Sequence, residues 1–96
     1  MHIFVNNLPQ SAVEADLGQA FGEYGAVRSC AVIKDKDTGA SRRFGFVEMP
    51  DQTEAEAAVA QLNGAEVAGH LLLVREARSL PERIERAYRR AAKKPR

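Results

Sequence analysis

The sequence contains no tryptophan, one cysteine and no run of 18 or more apolar residues. A single cysteine, Cys30, cannot form a disulfide within the chain or supply a four-ligand zinc site. We therefore expect Cys30 to be a small buried hydrophobic residue, and we expect neither a metal site nor a cofactor. Without a long apolar run, no membrane-spanning helix and no membrane partner are predicted.

The first residues, Met-His-Ile-Phe-Val-Asn, lack the basic stretch and apolar core of a signal peptide. A cytoplasmic location is the corresponding prediction. Patterns typical of catalysis are also missing: there is no nucleophile–base pair, glycine-rich phosphate loop or metal-ligand cluster. The carboxylates of Asp16, Glu54 and Glu56 are expected on solvated helix faces, and His2 and His70 at the surface or a strand edge. The sequence thus predicts no catalytic residues and no enzyme.

Length and composition fit one small globular domain, since 45% of the 96 residues are hydrophobic and 28% are charged. The formal net charge of +1 conceals an asymmetry. Residues 79–96 carry seven basic and two acidic side chains, a net charge of +5, which leaves −4 on residues 1–78. A basic tail on a mildly acidic body indicates a nucleic-acid or acidic partner.

Strand-like and helix-like patterns alternate along residues 1–78. Ser11 and Glu14 have the spacing of a capping box at the start of the first helix, and Gly25 is expected to end it. Gly39 is expected at positive φ in a turn, and residues 65–69 form a connector with room for a short hairpin. The predicted strands are 2–8, 27–33, 42–49 and 71–76, and the predicted second helix is 53–62. This order predicts an α+β fold, the ferredoxin-like split βαβ, with a four-stranded antiparallel sheet and both helices on one face.

The segment after residue 78 forms a second unit of the predicted organisation. Ser79 and Glu82 repeat the capping-box spacing, and Leu80, Ile84 and Tyr88 recur at helical steps. We predict a basic amphipathic C-terminal helix that ends near residue 92. Three roles remain open for it: covering part of the sheet, projecting from the domain, or pairing with another chain.

Two short motifs carry a family resemblance. Ile3-Phe4-Val5-Asn6-Asn7-Leu8 and Arg42-Arg43-Phe44-Gly45-Phe46-Val47-Glu48-Met49 are similar, in that order, to the hexamer and octamer of the RNA recognition motif family. The resemblance covers residues 2–78 and is closest to small single-domain bacterial members. Arg43 replaces the usual glycine and Met49 the usual closing aromatic, a residue that packs inward. The resemblance implies single-stranded RNA as the partner.

Strand alternation indicates which face the aromatic residues use. Phe44 and Phe46 share one face while Val47 points to the other, and Phe4 faces outward if its neighbours fill the core. Phe4, Phe44 and Phe46 are therefore the predicted stacking platform for unpaired bases. Each base–aromatic stack contributes about 1–3 kcal/mol.

Several polar side chains are candidate RNA contacts beside this platform. The resemblance implies that Arg42 contacts a phosphate. The other polar candidates are Arg43, Asn6, Arg75 and Arg78. For the arginines, the alternative to an RNA contact is a solvated charge at the edge of a strand. Leu72 and Val74 are expected inside. Ile33 and Leu73 are expected on the outer face, where they enlarge the apolar surface beyond what stacking requires, so a partial cover is predicted.

A different function fits some of the same residues. Ile33, Leu73, the amphipathic tail and the acidic body also suit a protein–protein interaction module that uses the sheet face or the C-terminal helix. A strongly basic domain would be the simpler signature of an RNA-binding protein. Self-association through the C-terminal helix is part of this alternative.

Overall fold

The computed structural model describes residues 1–35, 37–77 and 86. Its elements are β1 (His2–Asn6), α1 (Glu14–Gly22), β2 (Ser29–Lys34), β3 (Ser41–Glu48), α2 (Gln52–Leu62), a short hairpin of β4 (Glu66–Val67) and β5 (His70–Leu71), and β6 (Leu73–Ala77). The main sheet has the order β2-β3-β1-β6, with antiparallel neighbours throughout. The predicted split βαβ fold is confirmed, while the predicted C-terminal helix lies outside the described residues except for Arg86.

Alternation along the strands builds the core on one side of the sheet. The inward side chains of β1, β2, β3 and β6 are buried against α1 and α2; they are Ile3, Val5, Cys30, Val32, Val47 and Val74, and they meet Leu17, Phe21, Ala55 and Ala58. Burying a large aliphatic or aromatic side chain contributes roughly 1.5–3 kcal/mol. Both helices are therefore held on one face, and the other face carries neither of them.

The predicted capping box at Ser11 is wrong. Ser11 lies in a turn closed by the amide of Ala12, which donates to the carbonyl of Pro9 at 3.0 Å, so the helix begins only at Glu14. The Asp16 carboxylate accepts from the Val13 amide at 2.9 Å and satisfies one donor at the helix start. The first helix also ends at Gly22, earlier than the sequence suggested.

Glu14, freed from the predicted cap, connects α1 to the sheet. Its carboxylate accepts from the backbone amide of Val32 at 2.8 Å. Because β2 is an edge strand, this amide would otherwise be available to pair with another chain. The contact ties the first helix to the strand that ends the sheet.

Other boundaries also differ by one or two residues from the prediction, and the starts of the second helix and the last strand have a visible cause. The second helix starts at Gln52, one residue early, since the Asp51 side chain accepts from the Glu54 amide at 2.9 Å. The last strand begins at Leu73 because Leu72 bonds instead to the connector: its amide donates to Ala65 at 2.9 Å, and its carbonyl accepts from Gly64 at 2.8 Å. A short hairpin is present, as expected, but only β4 lies within the predicted connector, and β5 lies beyond residue 69.

Cys30 is buried, as predicted. Its Sγ donates to the carbonyl of Glu14 at 3.2 Å. Burial raises the pKa of the Cys30 thiol, and the nearby Glu14 carboxylate raises it further. A raised pKa lowers the thiolate fraction at neutral pH, so this thiol is a poor nucleophile. Among the described residues, no helix is long and apolar enough to cross a membrane.

Candidate nucleic-acid interface

The strand register aligns the predicted site residues in rows across the helix-free face. Phe4 of β1 is paired with Phe46 of β3 on one side and with Arg75 of β6 on the other. The neighbouring row on the same face joins Phe44, Asn6 and Leu73. The prediction that the three phenylalanines share this face is confirmed by their common cluster, which is separate from the core under the helices.

The three rings support one another. Phe4 lies 5.4 Å from Phe46 and 5.7 Å from Phe44 between ring centroids, with interplanar angles of 52° and 46°. Phe44 and Phe46 are edge-to-face at 6.2 Å and 87°. These separations are in the favourable range for aromatic pairs, so the three rings stabilise one another.

Accessibility differs sharply across this face. Phe46 is only 5% exposed, so the expectation that it is open to solvent is wrong. Ile33 lies on this face, as expected, and is only 2% exposed. Phe4 and Phe44 are half-buried, while Leu73 on the opposite edge is 56% exposed, as predicted. The accessible part of the face therefore comprises Phe4, Phe44 and the edge strand β6, whereas Phe46 and Ile33 are buried.

Arg75 lies over the ring of Phe4. Its guanidinium carbon lies 4.9 Å from the centroid of the Phe4 ring. Such a cation–π contact contributes about 0.5–1 kcal/mol at an exposed site. The sequence identified both residues as candidates but gave no indication that one covers the other.

Arg43 is held by protein contacts away from the aromatic rows. Its Nε donates to the carbonyl of Leu8 at 3.2 Å, and a terminal nitrogen lies 3.3 Å from Nδ1 of His70. Its backbone φ is +64°, a conformation that favours glycine and explains the usual residue at this motif position. Arg43 joins the loop after β1 to the β4–β5 hairpin, a contact that the sequence did not reveal.

An apolar edge extends the face beyond Asn6. The Asn7 side chain donates to the carbonyl of Leu71 at 2.8 Å and fixes β5 beside β1. Leu71 is 55% exposed and lies close in sequence to the exposed Leu73. We call these two exposed leucines the hydrophobic rim, and only Leu73 was predicted.

Charge is distributed unequally between the two ends of the sheet. Lys34 and Arg42 are exposed where β2 and β3 are joined. At the opposite end, Glu48 is 4.0 Å from both Arg28 and His2, pairs too long and too exposed to contribute much. The end that carries Lys34 and Arg42 also carries the acidic side chains of Asp35 and Asp37. Arg78, the remaining predicted contact, lies outside the described residues.

The loop between β2 and β3 is organised by Asp35. Its carboxylate accepts from the amides of Asp37 at 2.8 Å and Thr38 at 3.1 Å. Both bonds lower the pKa of Asp35, and the bond from Thr38 has the larger effect. Gly39 follows at φ +75°, as predicted for the turn. Within the described part of the chain, no group of three or more His, Cys, Asp or Glu side chains could hold a metal ion.

Comparison with known proteins identifies the family. Residues 3–73 match the family model of the RNA recognition motif. The chain belongs to the RNA recognition motif family. This RNA recognition motif is 41% identical over 87 residues to "Putative RNA-binding protein RbpE" of Nostoc sp., which covers 91% of this chain and 88% of the relative. It is 42% identical over 79 residues to "Glycine-rich RNA-binding protein 1" of Mycosarcoma maydis, covering 82% of this chain and 45% of that one.

Solved RNA recognition motif structures share the fold. The crystal structure of RNA binding protein PG1 superimposes with a TM-score of 0.81 at 46% identity, covering 85% of this chain and 99% of that one. A Sxl-lethal protein/RNA complex gives a TM-score of 0.79 at 31% identity, covering 84% and 48% of the two chains. The fold of this RNA recognition motif is thus one that also occurs with RNA bound.

Proposed function

We propose that this chain is a non-catalytic single-stranded RNA-binding protein that stacks bases on Phe4 and Phe44. The observation that carries the proposal is that two partly exposed aromatic rings lie side by side on the helix-free face of a chain in this family. The names of its relatives, which describe RNA-binding proteins, support the same ligand. A cytoplasmic location stays a prediction.

Stacking alone gives weak binding. Two base–aromatic stacks contribute about 2–6 kcal/mol together, which corresponds to a Kd of roughly tens of micromolar at best. Tighter binding therefore requires phosphate contacts, for which the exposed guanidinium of Arg42 is well placed beside the platform. Asn6 lies in the same row as Phe44 and is proposed to hydrogen-bond a base.

Arg75 must leave Phe4 before a base can stack on that ring. A base stack of about 1–3 kcal/mol exceeds a cation–π contact of about 0.5–1 kcal/mol, so the exchange is favourable. The released guanidinium can then bind a phosphate in its fork geometry. Phe46 packs against Phe4 on its buried side. Arg43 and Arg78 are also proposed to contact RNA, with a smaller contribution to binding.

The decisive experiment removes the accessible rings. Phe4→Ala together with Phe44→Ala is expected to weaken binding to a mixed single-stranded RNA pool by at least about tenfold, as measured by fluorescence anisotropy. Val67→Ala is the matched control, because Val67 is an exposed apolar residue of β4 outside the main sheet. Unchanged affinity in a double variant that retains its circular dichroism spectrum would overturn the stacking proposal.

A protein-interaction function is the second candidate, and the exposed Leu71 and Leu73 favour it. Such a module would bind its partner through this hydrophobic rim or through the C-terminal segment, and would not respond to RNA. Chemical-shift titration with mixed oligoribonucleotides separates the two functions. Absence of shifts up to millimolar RNA, with a concentration-dependent mass in solution, would favour the protein-interaction function.

A further inference from the structure

A groove lies on the helix side of the molecule, opposite the face that carries the three phenylalanines. α1 packs mainly on β2 and β3, whereas α2 packs mainly on β6, so the two helices leave a gap between them. The gap is bordered by α1, by the loop before it, by the end of α2 and by the turn of the β4–β5 hairpin. Its volume is about 500 Å³, which is within the range of sites that enclose a small ligand. We call it the helix-side groove.

Apolar side chains form most of the lining of the helix-side groove. Leu8, Leu17 and Phe21 are buried and contribute to it from the core. Val67 contributes from the end of β4 and is 43% exposed. A concave apolar surface with a polar border is typical of an interaction site. The hydrophobic rim is not part of this lining, so the groove is a separate surface.

The charged side chains of the lining are both acidic. Asp16 and Glu23 are exposed, and Ala20 lies between them in the sequence. Steps of four and three residues place these three side chains along one side of α1 and its C-terminal end. No lysine or arginine of the described chain lines the groove. A ligand in the groove therefore meets apolar surface beside negative charge on one wall.

The same sign of charge extends over the whole helix layer. Residues 9–27 and 49–72, which include both helices and most of the β4–β5 hairpin, carry seven acidic side chains and no lysine or arginine, a net charge of −7. The rest of residues 1–78 carries seven basic and four acidic side chains, a net charge of +3. Both ion pairs found among the described residues are at Glu48 of β3, outside the helix layer. Such a surface repels a polyanion such as RNA and attracts a cationic partner.

We propose that the helix-side groove binds a basic peptide segment of a partner protein. One or two large apolar side chains of the peptide occupy the groove, and its lysines or arginines face Asp16 and Glu23. The volume of the groove suits an anchor of this size, and aromatic and arginine side chains are those that most often dominate binding energy at interfaces. The phenylalanines are on the opposite face, so this docking neither needs nor blocks the proposed RNA-binding function.

Three peptides test the chemistry of the partner on the full chain. The first is a pool of Lys-Arg-X-X-Arg-Lys, in which X is leucine, phenylalanine, tyrosine or tryptophan. The second has glutamate in place of every basic residue, and the third has serine at both X positions. The first pool is expected to bind at least about tenfold more tightly than the others, and to shift the amide resonances of Ala20, Val67 and Ala68. Absence of binding by the first pool up to millimolar concentration, or equal binding by either other peptide, would overturn the proposal.

Charge reversal tests whether the peptide binds at the groove or anywhere on the helix layer. Glu23→Lys and Glu56→Lys reverse one exposed charge each, and only Glu23 lines the groove. We expect Glu23→Lys to weaken binding of the first pool about fivefold and Glu56→Lys by less than about twofold, because salt screens exposed charges that are not in contact. Equal losses would indicate diffuse attraction to the acidic layer and would contradict a site in the groove.

Two exposed valines test the apolar contact. Val67 lines the groove, whereas Val13, which is 46% exposed at the start of α1, does not. Val67→Ser is expected to weaken binding of the first pool about threefold, and Val13→Ser should leave it unchanged. The same affinity in both variants would mean that the peptide does not bury its apolar side chains in the groove.

The opposite face is tested with the variant that lacks the accessible rings. Phe4→Ala together with Phe44→Ala should bind the first pool as the unaltered chain does, whatever its affinity for RNA. If this variant retains its circular dichroism spectrum but no longer binds the peptide, the peptide lies on the sheet face and the proposal is overturned. Loss of RNA binding alone leaves the groove intact, so the two functions fail separately.

Discussion

Arg75 and Phe4 form the contact on which the proposed binding exchange depends. If the guanidinium moves from the ring to a phosphate, Arg75→Ala should lower the magnitude of the slope of log K against log salt by about 0.7. Arg75→Lys should keep the slope, because it keeps the charge. The measurement is RNA affinity between low and moderate salt for the three proteins. An unchanged slope in Arg75→Ala would mean that the guanidinium remains on Phe4 in the complex.

Gly45 makes a close approach that no larger residue can repeat. A Cβ at this position would lie 2.3 Å from the backbone oxygen of Ala31 and 3.2 Å from Cδ1 of Leu17. Gly45→Ala is therefore expected to lower the free energy of unfolding by roughly 1–3 kcal/mol in urea titrations.

Gly22 provides the matched control for that substitution. A Cβ on Gly22, the last residue of α1, would meet nothing within 4 Å. Gly22→Ala should therefore raise the free energy of unfolding by about 0.4–1 kcal/mol, through a less flexible unfolded chain. Equal unfolding midpoints for the two alanine variants would contradict the close approach at Gly45.

At the scale of elements, α1 protects the edge of the sheet through Glu14. Glu14→Ala removes the acceptor of the Val32 amide and is expected to cost about 1–3 kcal/mol of stability. Glu14→Gln retains a side-chain oxygen and should cost less. Urea unfolding gives the stability, and hydrogen exchange at the Val32 amide reports the contact itself.

Glu56→Ala is the control for the edge contact. Glu56 is an exposed acid on α2, and its replacement should change stability by no more than about 0.5 kcal/mol. If Glu14→Ala behaves like Glu56→Ala, and the Val32 amide exchanges at an unaltered rate, the carboxylate does not protect the edge of β2.

At the scale of the whole molecule, Arg42 and Glu48 place opposite charges at the two ends of the sheet face. Arg42→Gln and Glu48→Gln each remove one charge, from opposite ends, so they should change RNA affinity in opposite directions. We expect the first to weaken binding and the second to strengthen it, each by a few-fold, with both differences shrinking at higher salt because exposed charges are screened. Changes of the same sign in anisotropy titrations would contradict this polarity.

The sequence by itself determined the order of the elements and the face that each strand residue uses. Period-two alternation is a local property, and together with the match to the family motifs it placed Phe4, Phe44 and Phe46 opposite the core residues. It also located Leu72 and Val74 inside. The beginning of α1 was missed because the turn that closes between Pro9 and Ala12 moves the cap beyond Ser11.

Only the tertiary structure decided which of these residues are accessible and what they touch. Alternation assigns a face, but exposure depends on atoms that come from distant parts of the chain. Arg75 over Phe4, and the bond from the Val32 amide to Glu14, are contacts between residues far apart in sequence. The burial of Phe46 and Ile33 likewise was not visible in the local pattern. Such contacts depend on strand register and helix docking, which are properties of the assembled sheet and not of any local pattern.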